Sequence, residues 1–240
     1  MFSRPDFIGW NKLLSTIQDR REALGNPSVV WYRGVTSDSH ELVPSLIRIQ
    51  NGLEKESLLF HKYIQVASRV LEPRANDWEY LFDMQHHYLP TRLLDWTEVL
   101  GVALYFALLS NPSERPAIYI LDPIKLNVLS QREGVFGDYA SLHYRDLYWH
   151  NNPVKPMLPI AVEPPYQNQR IHGQRGKFTI HGNDPRALNV IAPACVKKVI
   201  IDREAREGAK EFLKLSGIDE FSVFPDIVGM VPFLKRIVGL

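Results

Sequence analysis

Apolar residues recur at helical spacing in five separated stretches of the chain. In the first stretch Ile8, Leu13, Leu14 and Ile17 lie on one side, and a Gly-Asn-Pro triplet at 25–27 closes it. Pro90 should end the third stretch, because the residue before a proline is pushed out of the α region. The pattern therefore predicts helices over 7–24, 52–70, 78–88, 99–109 and 203–215.

Runs of β-branched and aromatic residues bounded by turn residues predict the strands. They occupy 28–34, 92–96, 117–121, 176–181 and 196–201, and a last short strand or turn is expected over 219–224. The region 130–169 is aromatic, polar and rich in proline, which indicates a long insertion or lid. Strands and helices alternate irregularly, so we expect one α+β domain over residues 1–240.

Composition excludes a few broad classes of protein. The 240 residues carry 28 Lys and Arg against 27 Asp and Glu, so no global field draws the chain to nucleic acid or to an anionic membrane. The single Cys195 excludes an internal disulfide and begins an apolar run, as expected of a buried thiol in a reducing compartment. No stretch approaches the ~20 apolar residues that span a bilayer, and no signal peptide is visible. We expect a soluble cytoplasmic protein.

Several common chemistries lack their sequence signatures. The chain has no GxGxxG fingerprint, no P-loop and no GxSxG elbow. One cysteine and no HExxH spacing give no support for a zinc site, and no metal is predicted. The remaining candidates are polar residues at strand ends, where binding and catalytic groups are often held.

The densest run of such residues is QHHYLPTRLLDWT at 85–97. Before it, Arg33 ends an apolar strand, where a guanidinium needs an anionic or carbonyl partner. Arg33 is therefore either an anion-binding residue or the partner of Asp95 or Glu98 in an ion pair. Arg92 and Asp95 lie three apart in an extended piece and should point to opposite faces.

The other polar residues of this run also have two interpretations each. Asp95 and Thr97 either belong to a site or cap the following helix. Gln85, His86 and Arg92 either reach one cleft or are structural residues. The aromatic residues nearby form either a stacking wall for a flat ring or part of the core, and they are Tyr32, Tyr88, Trp96 and Phe106.

Six segments together resemble the FRG domain, a family named for its (F/Y)RG triplet. They are YRG at 32–34, LVPSLIR at 42–48, QHHYLPTRLLDWT at 85–97 followed by ALYFA at 103–107, QRGKFTIHG at 174–182, and VFPDI at 223–227. The family is known mainly from bacterial and phage-related proteins without an assigned activity. The resemblance therefore points to a family but implies little about the chemistry of this chain.

A second resemblance implies more. The order of a strand ending in YRG, a short strand ending in a hydroxyl residue, a helix reading AxxFA and a late strand reading GxFxI is similar to ADP-ribosyltransferases of the Arg-Ser-Glu type. In those enzymes the Arg binds the NAD diphosphate, the hydroxyl segment supports the nicotinamide ribose, and a Glu before the late strand stabilises an oxocarbenium-like transition state. The resemblance implies a split, mostly antiparallel sheet, with Arg33 and Thr97 in the first two roles.

The third role has no matching residue, since the chain has glutamines where that family has its Glu. A Gln can hydrogen-bond a ribose but supplies no negative charge, so the carboxylate would come from elsewhere.

The implied function is NAD-using transfer or hydrolysis, as in a toxin or antiphage effector with a protein or nucleic-acid acceptor. The alternative is a non-catalytic module that binds a nucleotide, nucleic acid or protein. The candidate catalytic residues are Asp95, Glu163, Gln169 and Glu220, and the candidate NAD-binding residues are Tyr32, Arg33, Gly34, Gln85, His86, Arg92, Thr97 and Gln174.

Overall fold

The fold is seen in a computed structural model that describes residues 4–109, 111, 113–130, 143–150, 158–165 and 169–240. Six strands form one sheet, and helices flank it. The strands are β1 (Trp31–Val35), β2 (Leu93–Thr97), β3 (Ala117–Leu121), β4 (Ile160–Val162), β5 (Gly176–Ile180) and β6 (Val196–Ile200). The expected α+β class is confirmed.

Eleven α-helices are present in the described part of the chain, together with a short π-helix at Asp146–His150. The first six are α1 (Arg4–Glu22), α2 (Ser45–Arg48), α3 (Gly52–Ala67), α4 (Asp77–His86), α5 (Leu100–Leu108) and α6 (Pro123–Leu129). The others are α7 (Gln169–Gln174), α8 (Leu188–Ile191), α9 (Arg203–Leu215), α10 (Glu220–Val223) and α11 (Ile227–Ile237).

The strand order is β4-β5-β2-β1-β3-β6, and all five pairings are antiparallel. β1 is in register with β3 over its whole length, and β2 is in register with β5 over its whole length. Between β1 and β2 only Tyr32 and Thr97 are paired. The two central strands therefore separate after one residue pair and leave a gap between β4-β5-β2 and β1-β3-β6.

Each half of the sheet has its own hydrophobic cluster. One cluster joins β2, β4 and β5 to α3, α4 and the π-helix through residues such as Phe60, Trp78 and Phe178. A second joins β1, β3 and β6 to α1, α5 and α9. A third contains Trp31 and Trp96 and draws residues from both halves. Because side chains alternate between the faces of a strand, the first two clusters share one face of the sheet and the third covers the other.

Helix α4 ends earlier than the sequence pattern predicts, and Pro90 does not end it. Its last residue is His86, and Tyr88 has a left-handed backbone with φ of 61°. The N–H of Leu89 donates to the carbonyl of Met84 at 2.9 Å, and that of Tyr88 to the carbonyl of Gln85 at 3.1 Å. These two bonds form a Schellman motif, in which glycine is the usual left-handed residue.

Two further predictions need correction. Residues 219–224 contain helix α10, because the side chain of Asp219 accepts the N–H groups of Phe221 and Ser222 in a capping box. The expected insertion over 130–169 contains strand β4 and the π-helix, and its Tyr144 and Tyr148 are buried in the core. Neither piece lines the cavity described below. The other parts of 130–169 that would form a lid, at 131–142, 151–157 and 166–168, lie outside the described residues, so a lid stays a prediction.

Candidate functional site

A cavity of about 370 Å³ lies where β1 and β2 separate. Helix α4 supplies one wall and helix α5 the opposite wall, so the cavity sits between the two hydrophobic clusters of that face. Its polar lining residues are Arg33, Ser45, Arg48, Gln85, His86, Tyr88, Asp95, Thr97, Arg170 and Gln174, and its aromatic lining residues include Tyr32, Phe82, Trp96, Phe106 and Phe178. This volume and mixture of groups are typical of a small-molecule site.

Arg33 bridges the gap between the two strands. Its Nη1 donates to the backbone carbonyl of Asp95 at 2.6 Å and lies 3.4 Å from Oδ2 of the same residue. The carbonyl bond thus links β1 to β2 beyond their single residue pair. Of the two partners predicted for Arg33, Asp95 is therefore the one it contacts, mainly through the backbone.

The carboxylate of Asp95 is oriented by Gln85. The Gln85 Nε2 lies 3.0 Å from each carboxylate oxygen, and the Gln85 Oε1 accepts from the hydroxyl of Thr91 at 2.5 Å. Thr91 in turn accepts the N–H of Leu93 at 3.0 Å. The hydroxyl of Thr91 therefore donates its proton to Oε1 of Gln85. This bond orients the side-chain amide of Gln85 so that its Nε2 faces Asp95. Asp95 is held by donors and remains 56% exposed.

Cations outnumber anions around the cavity. Three guanidinium groups line it, those of Arg33, Arg48 and Arg170, whereas Asp95 is the one carboxylate among the described lining residues. The excess positive charge favours an anionic ligand.

Burial, followed by the positive charges of the neighbouring His87 and Arg170, lowers the pKa of His86 below its usual value. His86 is therefore a neutral imidazole at neutral pH and adds a hydrogen-bonding group without charge.

Eight of the predicted site residues line this cavity together. They are Tyr32, Arg33, Gly34, Gln85, His86, Asp95, Thr97 and Gln174. Of the four aromatic residues assigned to either a stacking wall or the core, Tyr32 and Trp96 are buried in hydrophobic clusters and also line the cavity, whereas Tyr88 and Phe106 line the cavity without belonging to a buried cluster.

Arg92 does not reach the cavity. It is 2% exposed, and its Nε and Nη2 bind Glu56 while Nη1 donates to the carbonyl of Gly182 and to Asn183. Arg92 lies just before the first residue of β2, whereas Asp95 and Thr97, which line the cavity, lie further along the strand.

Three candidate catalytic residues also lie outside the cavity. Glu163 pairs with Lys177 at 3.2 Å, and Glu220 pairs with Arg236 at 3.0 Å. Gln169 is the exposed first residue of α7. Of the four candidates, Asp95 alone lines the cavity.

Gly34 and Thr97 have structural contacts that the sequence did not predict. A Cβ on Gly34 would lie 1.8 Å from the carbonyl oxygen of Ala103, so the glycine is required where β1 packs against α5. Thr97 donates to the carbonyl of Gln174 at 2.6 Å and accepts the N–H of Val99 at 3.0 Å. Neither Asp95 nor Thr97 caps α5, whose N-cap residue Val99 has no side-chain cap bond.

Sequence reasoning missed two of the three cavity cations. Arg48 lies at the end of α2 and Arg170 near the start of α7. Nothing distinguishes them in the sequence from other surface arginines. Arg48 is, however, the last residue of LVPSLIR, one of the segments that carry the first resemblance.

No group of His, Cys, Asp and Glu suited to a metal ion occurs in the described residues.

Comparison with protein-family models matches residues 28–115 to the FRG domain. The match includes the first four segments that carry the resemblance. It contains β1, β2 and the helices from α2 to α5, and therefore both strands that border the gap. The matched region thus supplies most of the cavity wall, whereas Arg170, Ile171, Gln174 and Phe178 come from later in the chain.

Searches of curated proteins and of solved structures gave no significant match. No helix in the described part of the chain combines the length and apolar character needed to cross a membrane.

Proposed function

We propose that the cavity binds NAD and promotes cleavage of its nicotinamide–ribose bond, with transfer of ADP-ribose to water or to a macromolecular acceptor. The observation that carries the proposal is the gap between β1 and β2, with Arg33 on one side and Asp95 on the other. It agrees with the split sheet that the resemblance to ADP-ribosyltransferases implies. The excess of guanidinium groups suits a diphosphate, and the aromatic residues suit a nicotinamide or adenine ring.

Arg33 has donors available for the diphosphate. Its Nη1 donates to Asp95, whereas no hydrogen bond of its Nε or Nη2 is found among the described residues. These two groups form one edge of the guanidinium fork, which matches two oxygens of a phosphate. Arg33 can therefore keep the two strands connected and bind an anion at the same time.

Asp95 is the group proposed to assist bond cleavage. As the C–N bond breaks, its electron pair leaves with nicotinamide, and positive charge develops on the ribose. A fixed carboxylate stabilises this charge more in the transition state than in the bound substrate. In the hydrolytic reaction water then attacks the ribose carbon, and the products are ADP-ribose, nicotinamide and a proton.

The experiment is incubation of the purified protein with NAD, with nicotinamide measured by chromatography and mass spectrometry. We expect release by the native protein and its loss in Asp95→Asn, with Glu163→Gln as the matched control because Glu163 lies outside the cavity. NAD that binds without nicotinamide release would instead identify a nucleotide-binding module. Failure to bind NAD would refute the proposal.

Consumption of NAD would also support the role of a toxin or antiphage effector. In that case, induced expression of the native protein in bacteria should lower cellular NAD and stop growth, whereas Asp95→Asn should do neither. Equal growth arrest by both proteins would contradict the link to NAD.

A further inference from the structure

Arg170 is held in an unusual way at the edge of the cavity. Its guanidinium carbon lies 4.9 Å from the centre of the Tyr88 ring and 4.5 Å from the centre of the Phe224 ring. Its Nη1 donates to the hydroxyl of Tyr88 at 2.8 Å and approaches the carbonyl of His86 at 3.5 Å. Contacts with two rings and a hydroxyl fix the plane of the guanidinium but do not neutralise its charge.

No carboxylate pairs with Arg170 within the described part of the chain. Its Nε and Nη2 likewise have no hydrogen-bond acceptor there. A partly buried cation without a counter-ion is unfavourable unless a ligand supplies the negative charge. The same edge of the fork, Nε with Nη2, is available on Arg33.

Tyr88 provides an independent observation. It takes the left-handed position of the Schellman motif, with φ of 61°, although glycine would fit there without strain. Its side chain is 69% exposed, so burial of the ring does not explain the choice of tyrosine. The contacts that its ring and hydroxyl make with Arg170 do explain it.

We infer that Arg170 is a second phosphate-binding residue of the cavity, positioned by Tyr88, and that it binds one phosphoryl group of a diphosphate while Arg33 binds the other. Arg48, the third cation of the lining, adds positive charge. The identity of the ligand as NAD rests on the proposed function, whereas recognition of a diphosphate does not.

The test uses inorganic pyrophosphate as the probe and isothermal titration calorimetry as the measurement. Arg170→Gln should weaken pyrophosphate binding by roughly ten- to a hundredfold, as expected for a charge-assisted bidentate contact. Arg175→Gln is the matched control, because Arg175 is exposed, lies five positions away and does not line the cavity. This control should bind like the native protein.

Tyr88 variants separate a positioning role from a structural one. Tyr88→Phe keeps the ring but loses the hydroxyl acceptor, and it should weaken binding by roughly two- to fivefold. Tyr88→Gly removes both contacts and relieves the left-handed strain, so it should raise or preserve Tm while weakening binding further. Loss of Tm without loss of affinity in Arg170→Gln would make Arg170 a structural residue and overturn the inference.

The outcome also separates this inference from the proposed function. Pyrophosphate binding that depends on Arg170, in a protein that releases no nicotinamide, would keep the inference and refute NAD cleavage. Nicotinamide release with pyrophosphate affinity and KM for NAD unchanged in Arg170→Gln would keep the proposed function and refute the inference. Absence of pyrophosphate binding by the native protein would also refute the inference.

Discussion

Two arginine–carboxylate pairs involve β2, one just before its first residue and one within it, and they differ in burial and in the number of their other contacts. Arg92 and Glu56 are 2% and 5% exposed, and Glu56 also accepts from the hydroxyl of Tyr144 and from Trp149. Arg33 and Asp95 are 26% and 56% exposed, and their side-chain distance is 3.4 Å. The first pair has its donors and acceptors satisfied within the core, whereas the second borders the cavity and leaves an edge of Arg33 available.

An arginine in a polar sequence run is therefore not by itself a residue of the cavity. Arg92 has the stronger contacts, and they use all three nitrogens of its guanidinium group. Arg33 has one good bond to a backbone carbonyl and retains donors for a ligand. Removing a partner should therefore destabilise the fold in the first pair and impair the ligand site in the second.

The largest effect is expected for Glu56→Gln. The variant leaves the guanidinium of Arg92 buried without its counter-ion, which should lower the free energy of unfolding by about 3–5 kcal/mol. Urea denaturation measures this change. The double variant Glu56→Leu with Arg92→Met should recover part of the stability, because it removes both charges together. If Glu56→Gln lost less unfolding free energy than Asp95→Asn, the buried pair would not be the one that stabilises the fold.

Close to the buried pair, His181 should make stability depend on pH. Burial lowers the pKa of His181 to about 4 from 6.5, and neither ring nitrogen has a partner among the described residues. Between these values the unfolded chain binds more protons than the folded one, so stability should fall by up to roughly 3 kcal/mol as pH drops through this range. His181→Leu should flatten the curve of unfolding free energy against pH. An equally steep curve in that variant would assign the dependence to other groups.

Arg33→Lys should affect the ligand more than the fold. Lysine keeps the positive charge but has no planar fork to serve the Asp95 carbonyl and a phosphate together, so binding of NAD should weaken by about 1–3 kcal/mol. Calorimetric titration measures the affinity, and thermal unfolding should show a nearly unchanged Tm. A large loss of Tm with intact binding would place Arg33 in the same class as Arg92.

The smallest effect on stability is expected for Asp95→Asn. The pair is exposed enough for solvent to screen it, so the free energy of unfolding should change by less than about 1 kcal/mol. The backbone carbonyl that Arg33 binds is retained in the variant. A loss comparable to that of Glu56→Gln would show that both pairs stabilise the fold.

The sequence predicted most of the sheet because its strands are runs of β-branched and aromatic residues. Strand β3 and helix α9 have the predicted bounds, Ala117–Leu121 and Arg203–Leu215. Strand β4 was missed because it is three residues long and lies in a proline-rich region. The end of α4 was placed too late because a left-handed Tyr88 is not expected from residue preferences.

Sequence reasoning selected those cavity-lining residues that lie on the two strands bordering the gap. Arg33, Asp95 and Thr97 follow from strand ends and from the resemblance. The partner of Arg92 could not be predicted, since Glu56 is 36 positions away and occupies an ordinary helical pattern. Arg170 was missed for a similar reason, because its two aromatic neighbours lie 82 and 54 positions away in the chain.

A single residue pair, Tyr32 with Thr97, is the whole of the register between β1 and β2. The ladders from β1 to β3 and from β2 to β5 lie on opposite sides of this pair, and the third hydrophobic cluster joins the two halves on the other face of the sheet. Across the gap, the Nη1 of Arg33 adds its contact with Asp95. A ligand held by Arg33 and by residues of β2 would therefore add a further link between the halves on the cavity face without replacing a bond of either ladder.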